Sequence, residues 1–283
     1  MSLPLVQVSL DRRRASEMTA INTNVGALMA RTNARAADSS TELQMRRLSS
    51  GKRINSAADD AAGLAVGNKV QSQVRGIEMG IRNSNDAIAL LETADAGYAT
   101  TASILQRMRE MAVQMSNAVY TSADRINANL EFSALELAAT SISTDTKFNE
   151  TVLLTGGFTG TMRIGNDDAE VMTIALDDSD VYGGGSISTQ ALAQTAVTTL
   201  AAAINTLSGA QADVGSYINR LQFNVSNLSQ AAVVAEKTLG TIMDADYAKE
   251  TSNLAKNQIL SQAATSMLAQ ANSNKQNVLT LLQ

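Results

Sequence analysis

Carboxylates are the side chains in this sequence best suited to chemistry, and they gather in two short segments. Asn166-Asp167-Asp168-Ala169-Glu170 and Asp177-Asp178-Ser179-Asp180 each concentrate oxygen donors of the kind that hold hard cations. Neither follows the D-x-D-x-D-G spacing with a distal Glu that a cation loop uses, so both are read as plain acidic turns. Other catalytic raw materials are missing. There is no His to act as a base near neutral pH and no Cys to act as a nucleophile. The stretch 156–165, "GGFTGTMRIG", carries glycines but neither a P-loop lysine nor the strand-to-helix context of a phosphate site. The expectation is a protein that is not an enzyme, with no catalytic residues, no cofactor and no metal.

The elements around these turns are of one kind. Hydrophobic residues make up 45 % of the 283, aromatics only 3 %, and there is no Trp. Ala, Leu, Val, Ile and Met must therefore fill the core, which suits closely approaching helices. The single Pro is Pro4, outside every periodic stretch, so the main helix breaker is absent. Net charge is −5, and no basic cluster is interleaved with stacking aromatics, which argues against nucleic acid. The basic run Arg12–Arg14 reads as a solvated tail. No apolar run is long enough for a membrane span, and residues 3–10 are too short and wrongly flanked for a secretory signal.

Two heptad stripes dominate the chain. One runs from Val70 through Ile77, Ile81, Ser84, Ile88, Leu91, Asp95, Tyr98, Ala102, Leu105 and Met108 to Val119, with a slip at 105–108. The other runs from Val197 through Leu200, Ile204, Leu207, Gln211, Val214, Ile218 and Leu221 to Ile242. Asp95 and Gln211 interrupt otherwise apolar stripes. They are either misphased onto a solvated edge or polar pins of register. A shorter helix is predicted over 124–144. Between the long helices, "GTMRIG" and "EVMTIAL" flank the turn "NDDA" and predict a β-hairpin. Residues 48–63 break the period and read as a connector, with Asn55 or Ser56 as a candidate helix cap.

Both chain ends are amphipathic. Ile21, Val25 and Leu28 space a helix face near the start. Leu260, Ala264, Met267, Ala271, Asn274, Val278 and Leu281 form a stripe near the end. The nested order predicts a mainly α fold: a long antiparallel helical coiled-coil bundle with one small β-hairpin region and paired N- and C-terminal helices. A lone pair of short helices shares little core, so these ends are expected to pack against further copies of the chain.

At this point the residues resemble a family, bacterial flagellin. The resemblance rests on "INTNVGAL" (21–28), "RLSSGKRINSAADDAAGLA" (47–65), "RGIEMGIRNSNDAIALLETADAGY" (75–98), "LQRMREMAVQMSN" (105–117) and "TKFNETVLL" (146–154). It continues in "GSYINRLQFNVSNL" (215–228), "DADYAKETSNLAKNQILSQAATSMLAQAN" (244–272) and "VLTLL" (278–282). It covers 18–154 and 189–283, leaving so little between the halves that the chain resembles a minimal form without large outer domains. Residues 1–17 lie outside the family pattern.

The resemblance implies a structural subunit that self-polymerises into the extracellular flagellar filament for swimming, exported unfolded through the flagellar type III apparatus. Residues 1–17, outside the family pattern, are expected to be a disordered N-terminal extension; for the rest the resemblance implies this division: 18–58 and 245–283 the terminal helices of an inner coiled coil; 59–154 and 187–244 a rod; 155–186 the hairpin and outer loop. Implied partners are other subunits, an export chaperone, and cap and hook-junction proteins. The polymerisation residues would be Ile21, Val25, Leu28, Leu260, Ala264, Met267, Ala271, Val278 and Leu281. By position, Arg107, Met111 and Glu131 match a site recognised by the animal Toll-like receptor for flagellin. The nearest alternative is a hook–filament junction protein of the flagellum with the same terminal helix arrangement. A chemoreceptor-like coiled coil would carry a membrane span, and a sugar-binding adhesin would carry more aromatic platforms.

Overall fold

Why a sequence with so few aromatics forms long rods is visible in which residues it buries. The structure, a computed structural model, describes residues 23–280. Five helices are described: α1 (Val25–Ser50), α2 (Ala61–Met115), α3 (Ser122–Asp145), α4 (Gln190–Met243) and α5 (Tyr247–Thr280). Between α3 and α4 lie β1 (Lys147–Phe148), β2 (Thr151–Val152), β3 (Phe158–Arg163) and β4 (Val171–Leu176). The described residues divide into two compact units, residues 70–237, and residues 23–69 together with 238–280.

In the larger unit α2 and α4 run antiparallel. Gln190 Nε2 donates to the Ser116 carbonyl at 3.1 Å, Gln211 Nε2 to Asp95 Oδ1 at 3.5 Å, and Asn224 Nδ2 to Ser84 Oγ at 3.4 Å. The buried stripe of α2 is Ser84, Ala87, Leu91, Ala94, Tyr98, Thr101, Leu105, Met108, Ala112 and Met115. That is an unbroken three–four alternation. The α4 stripe is Ala193, Ala196, Leu200, Ala203, Leu207, Ala210, Val214, Leu221 and Leu228.

This corrects the predicted stripes by one residue at every second step. Ala87, Ala94 and Thr101 are buried where Ile88, Asp95 and Ala102 were expected. Ala196, Ala203 and Ala210 are buried where Val197, Ile204 and Gln211 were expected. The reason is packing. Small residues alternate with large ones, so the backbones approach closely, and at all of these pairs but Thr101/Ala102 the bulkier neighbour moves to the flank. In this phase the slip at 105–108 disappears. Asp95 and Gln211 face each other on that flank, half-buried. Helix α2 ends at Met115, so Val119 falls in the following turn and is exposed.

Arg125 closes that turn. Its side chain is buried and donates through Nε to the Met115 carbonyl at 2.9 Å and through Nη2 to the Asn117 carbonyl at 2.8 Å. A cation thus satisfies carbonyls at the C-terminus of α2, where the helix dipole favours it. Helix α3 opens on a reciprocal capping box, Thr121 with Asp124. Its Phe132 is fully buried and meets Tyr182 edge-on, ring centroids 6.0 Å apart.

The predicted hairpin is β3–β4, antiparallel from Phe158↔Leu176 to Arg163↔Val171, and Met172, Ile174 and Leu176 of β4 point into the core. It lies close against the helices at Gly80, where a side chain would be tightly crowded. A Cβ there would stand 3.2 Å from the Ile164 carbonyl oxygen. Asn83 and Asn224 donate to the carbonyls of Arg163 and Ile164 at 3.1 and 2.8 Å. The tiny β1–β2 ladder has no counterpart in the sequence reading. Its turn places Asn149 and Glu150 at φ 48° and 67°, the left-handed pair of a tight hairpin turn.

In the other unit the connector is ordered by hydrogen bonds. Gly51 caps α1 with φ 70°. Lys52 bridges Asp244, the Arg53 amide donates to the Met243 carbonyl at 2.7 Å, and the Ala245 amide to the Gly51 carbonyl at 2.9 Å. The expected cap at Asn55 or Ser56 is corrected. Asp60 caps α2, its Oδ1 accepting from the Gly63 amide at 2.9 Å. Asn55 and Ser56 instead donate their amides to Asp59, which holds that carboxyl below its ordinary range.

Candidate assembly surface on the paired chain ends

Helices α1 and α5 lie antiparallel, and their shared face is built from small residues. On α1 the inward positions are Ala27, Ala30, Ala34, Ala37, Thr41, Gln44 and Leu48. On α5 they include Asn257, Ser261, Ala264, Leu268 and Ala271. Polar contacts cross the pair along its length. Asn24 caps α1 with Oδ1 and donates Nδ2 to the Ala271 carbonyl at 3.0 Å. Ser261 Oγ donates to Asp38 Oδ1 at 2.7 Å, and Asn257 Nδ2 to Gln44 Oε1 at 2.9 Å. Arg47 Nη1 pairs with Glu250 Oε1 at 3.3 Å, and both Gln44 and Glu250 are buried.

Because alanines take the inside, large apolar side chains are left outside. Leu28 is 57 % exposed, Met29 62 %, Leu260 48 % and Met267 63 %. Met29, Leu260 and Met267 line one open groove of about 800 Å³ between the two helices, floored by Ala30, Ala37, Ala264 and Ala271. Of the residues expected at the surface of association, Val25, Leu28, Leu260 and Met267 are thus exposed, while Ala264 and Ala271 belong to the face shared with α1. Ile21, Leu281 and the side chain of Val278 lie outside the described residues, as does the extension 1–17. Met29, which is not among the residues expected at the surface of association, lines the groove. Its spacing from Leu28 gave no means to tell which of the two neighbours faces the groove.

The other candidate group sits on the larger unit. Arg107 of α2 and Glu131 of α3 are joined, Nη2 to Oε1 at 3.1 Å, and Glu110 adds a contact at 3.5 Å. Both partners of the main pair are exposed, and the contact with Glu131 raises the Arg107 pKa above its ordinary value. Met111 does not share that surface. It is 4 % exposed and belongs to the hydrophobic core. The acidic turns are surface features as well. Asp168 pairs with Arg163 of its own hairpin, and Asp178 Oδ1 accepts the Asp180 amide at 2.8 Å. Among the described residues no group of three or more carboxylates could hold a metal ion, and no helix is long and apolar enough to cross a membrane.

Taken by geometry, the described residues form a long antiparallel helical bundle carrying two small antiparallel β-ladders and, as a second unit, an antiparallel pair of helices near the two chain ends. The family model of the bacterial flagellin N-terminal helical region matches residues 21–159, and that of the C-terminal helical region matches residues 188–282. Flagellin of Bacillus subtilis is 37 % identical over 302 residues, spanning 93 % of this chain and 99 % of the relative. The flagellar filament 31.3 kDa core protein of Treponema maltophilum is 37 % identical over 260 residues, spanning 84 % of this chain and 91 % of the relative. Among solved structures, one of a Vibrio parahaemolyticus protein described as flagellar hook-associated aligns with TM-score 0.58. It covers 66 % of this chain and all of the other at 14 % identity, a likeness of fold alone. The chain belongs to the bacterial flagellin family.

Proposed function

We propose that the chain is a structural subunit that polymerises into a flagellar filament outside the cell and thereby serves swimming. The carrying observation is the row of exposed large apolar residues on the paired chain ends, Leu28, Met29, Leu260 and Met267, in a member of this family. Side chains of that size left in water favour burial against another surface, at roughly 25 cal/mol per Å². Contacts that repeat head-to-tail without closing build an open helical polymer. The absence of Cys and of Pro beyond Pro4 suits the proposed export as an unfolded chain through the type III apparatus, since slow prolyl isomerisation is avoided on refolding. In this reading residues 18–58 and 245–283 form the inner coiled coil, 59–154 and 187–244 the rod, and 155–186 the outer part. Its further partners are an export chaperone and the cap and hook-junction proteins.

Electron microscopy after seeded or salt-induced polymerisation tests the proposal. The full chain should elongate into filaments, and a shortened chain ending at residue 257 should not. Fibres from the shortened chain, or seeds that never grow with the full one, would refute it. A hook–filament junction role predicts no such elongation. The receptor reading narrows to the joined pair Arg107 and Glu131. A reporter assay with monomer should lose activation on Arg107→Ala, and silence of the unaltered protein would dispose of it.

A further inference from the structure

The larger unit leaves one aromatic ring uncovered. Of the four Phe, Phe132 is buried, Phe148 and Phe158 are half-buried, and Phe223 of α4 is 78 % exposed. Arg220 stands one turn before it on the same helical face. It is exposed and has no hydrogen bond or ion pair among the described residues.

The same unit carries an open cavity of about 250 Å³ between α2, β1 and β3, lined by Asn83, Asp86, Leu90, Phe148, Met162 and Arg163 among others. That is smaller than the roughly 300–1,000 Å³ of small-molecule sites and suits a single large side chain. Its walls favour a ring: Met162 offers a thioether, and Arg163 a guanidinium that is already paired with Asp168. Asp86 is exposed there and, like Arg220, has no partner among the described residues. None of the lining residues belongs to α4, so the cavity does not receive the chain's own Phe223. Ring and cavity nevertheless share one level of the bundle. Asn224, next to Phe223, donates to Ser84 Oγ at 3.4 Å and to the Ile164 carbonyl at 2.8 Å. Asn83, next to Ser84, donates to the Arg163 carbonyl at 3.1 Å.

We propose that Phe223 of one copy enters this cavity on a second copy laid alongside at the same level, with Arg220 meeting Asp86. Two different patches meet, so the contact is heterologous and repeats from copy to copy. It is distinct from the groove between α1 and α5, and its part in a filament rests on the filament-subunit reading.

Photo-crosslinking of the full chain tests the contact. With p-benzoylphenylalanine in place of Phe223, irradiation should give covalent dimers, and mass spectrometry should map the bond to residues 83–90 or 158–163. Asp86→Arg should lower the dimer yield at least about threefold, because attraction becomes repulsion, and so should Arg220→Asp. The two together should restore it. Both sites are exposed, so helical content by circular dichroism should not change in any of these variants. Absence of dimers, or dimers joined elsewhere, overturns the proposal. So does a double variant no better than the single ones. Crosslinking needs no filament, so seeded elongation of the unaltered chain judges the filament reading separately. Where that chain elongates, Phe223→Ala should slow growth at least about tenfold. Growth at the unaltered rate overturns the part of this contact in the filament.

Discussion

At the scale of single residues, the charged side chains that matter structurally are those that end helices. Arg125 is a buried cation with no carboxylate contact among its hydrogen bonds; its partners are the carbonyls of Met115 and Asn117. Arg125→Ala should cost about 2–4 kcal/mol in urea unfolding, since it deletes two charge-assisted hydrogen bonds and orphans the acceptors. Arg125→Lys should recover only part of that, because an ammonium cannot reproduce the fork. Glu136 behaves in the opposite sense. Burial, and then the nearby Asp180 charge, raise its pKa above the ordinary 4.5. Its favourable contribution is therefore complete below 4.5 and is lost as pH rises through the raised folded value. Glu136→Gln should raise the melting temperature slightly at neutral pH and change nothing at pH values below the ordinary carboxylate range. Thermal scans across that window check both halves.

At the scale of elements, the alternation of alanine with leucine sets how α2 and α4 meet. Ala203 is buried in the contact while its neighbour Ile204 sits at the flank. Ala203→Leu should therefore destabilise by about 1–3 kcal/mol through overpacking. Leu207→Ala should cost about 2–5 kcal/mol through the cavity it leaves, and Ile204→Ala distinctly less. The ranking is the test, since the stripe read directly from residue size would put Ile204 beside Leu207. Helix spans were legible because periodic apolar residues run for many turns with no proline. Phase was not, because at three successive heptads an alanine adjoins a larger apolar or polar residue, and periodicity alone cannot say which of two neighbours faces the partner. The β1–β2 ladder was illegible for another reason. Two-residue strands carry no alternation, and Asn-Glu is not a usual left-handed turn pair.

At the scale of the whole molecule, the proposed function rests on what the fold leaves uncovered. The paired helices near the chain ends bury Ala30 and Ala37 and expose Met29, Leu260 and Met267. A charged side chain on the groove should abolish association without disturbing the chain that carries it. Met267→Lys should leave helical content unchanged by circular dichroism and stop filament growth in seeded elongation. Growth at the unaltered rate would remove this groove from the interface. Of the residues expected to take part in polymerisation, Leu260 and Met267 are exposed, while Ala264 and Ala271 are half-buried on the face shared with α1.

What the amino-acid sequence determined alone was the kind of protein. A lack of His and Cys, scarce aromatics, a single early proline and two long heptad stripes leave room for little except packed helical rods, and the ordered motifs at both ends place the chain in its family. What only the tertiary structure decided was phase and exposure: which of two adjacent residues points inward, that Asp95 meets Gln211, that Met111 is core, and that the connector is tied to residues 242–245. The reason is physical. Periodicity along one helix fixes a stripe only to within the width of a side chain, and the closest approach of two backbones, set by where alanine meets alanine or leucine, selects the line of contact within it.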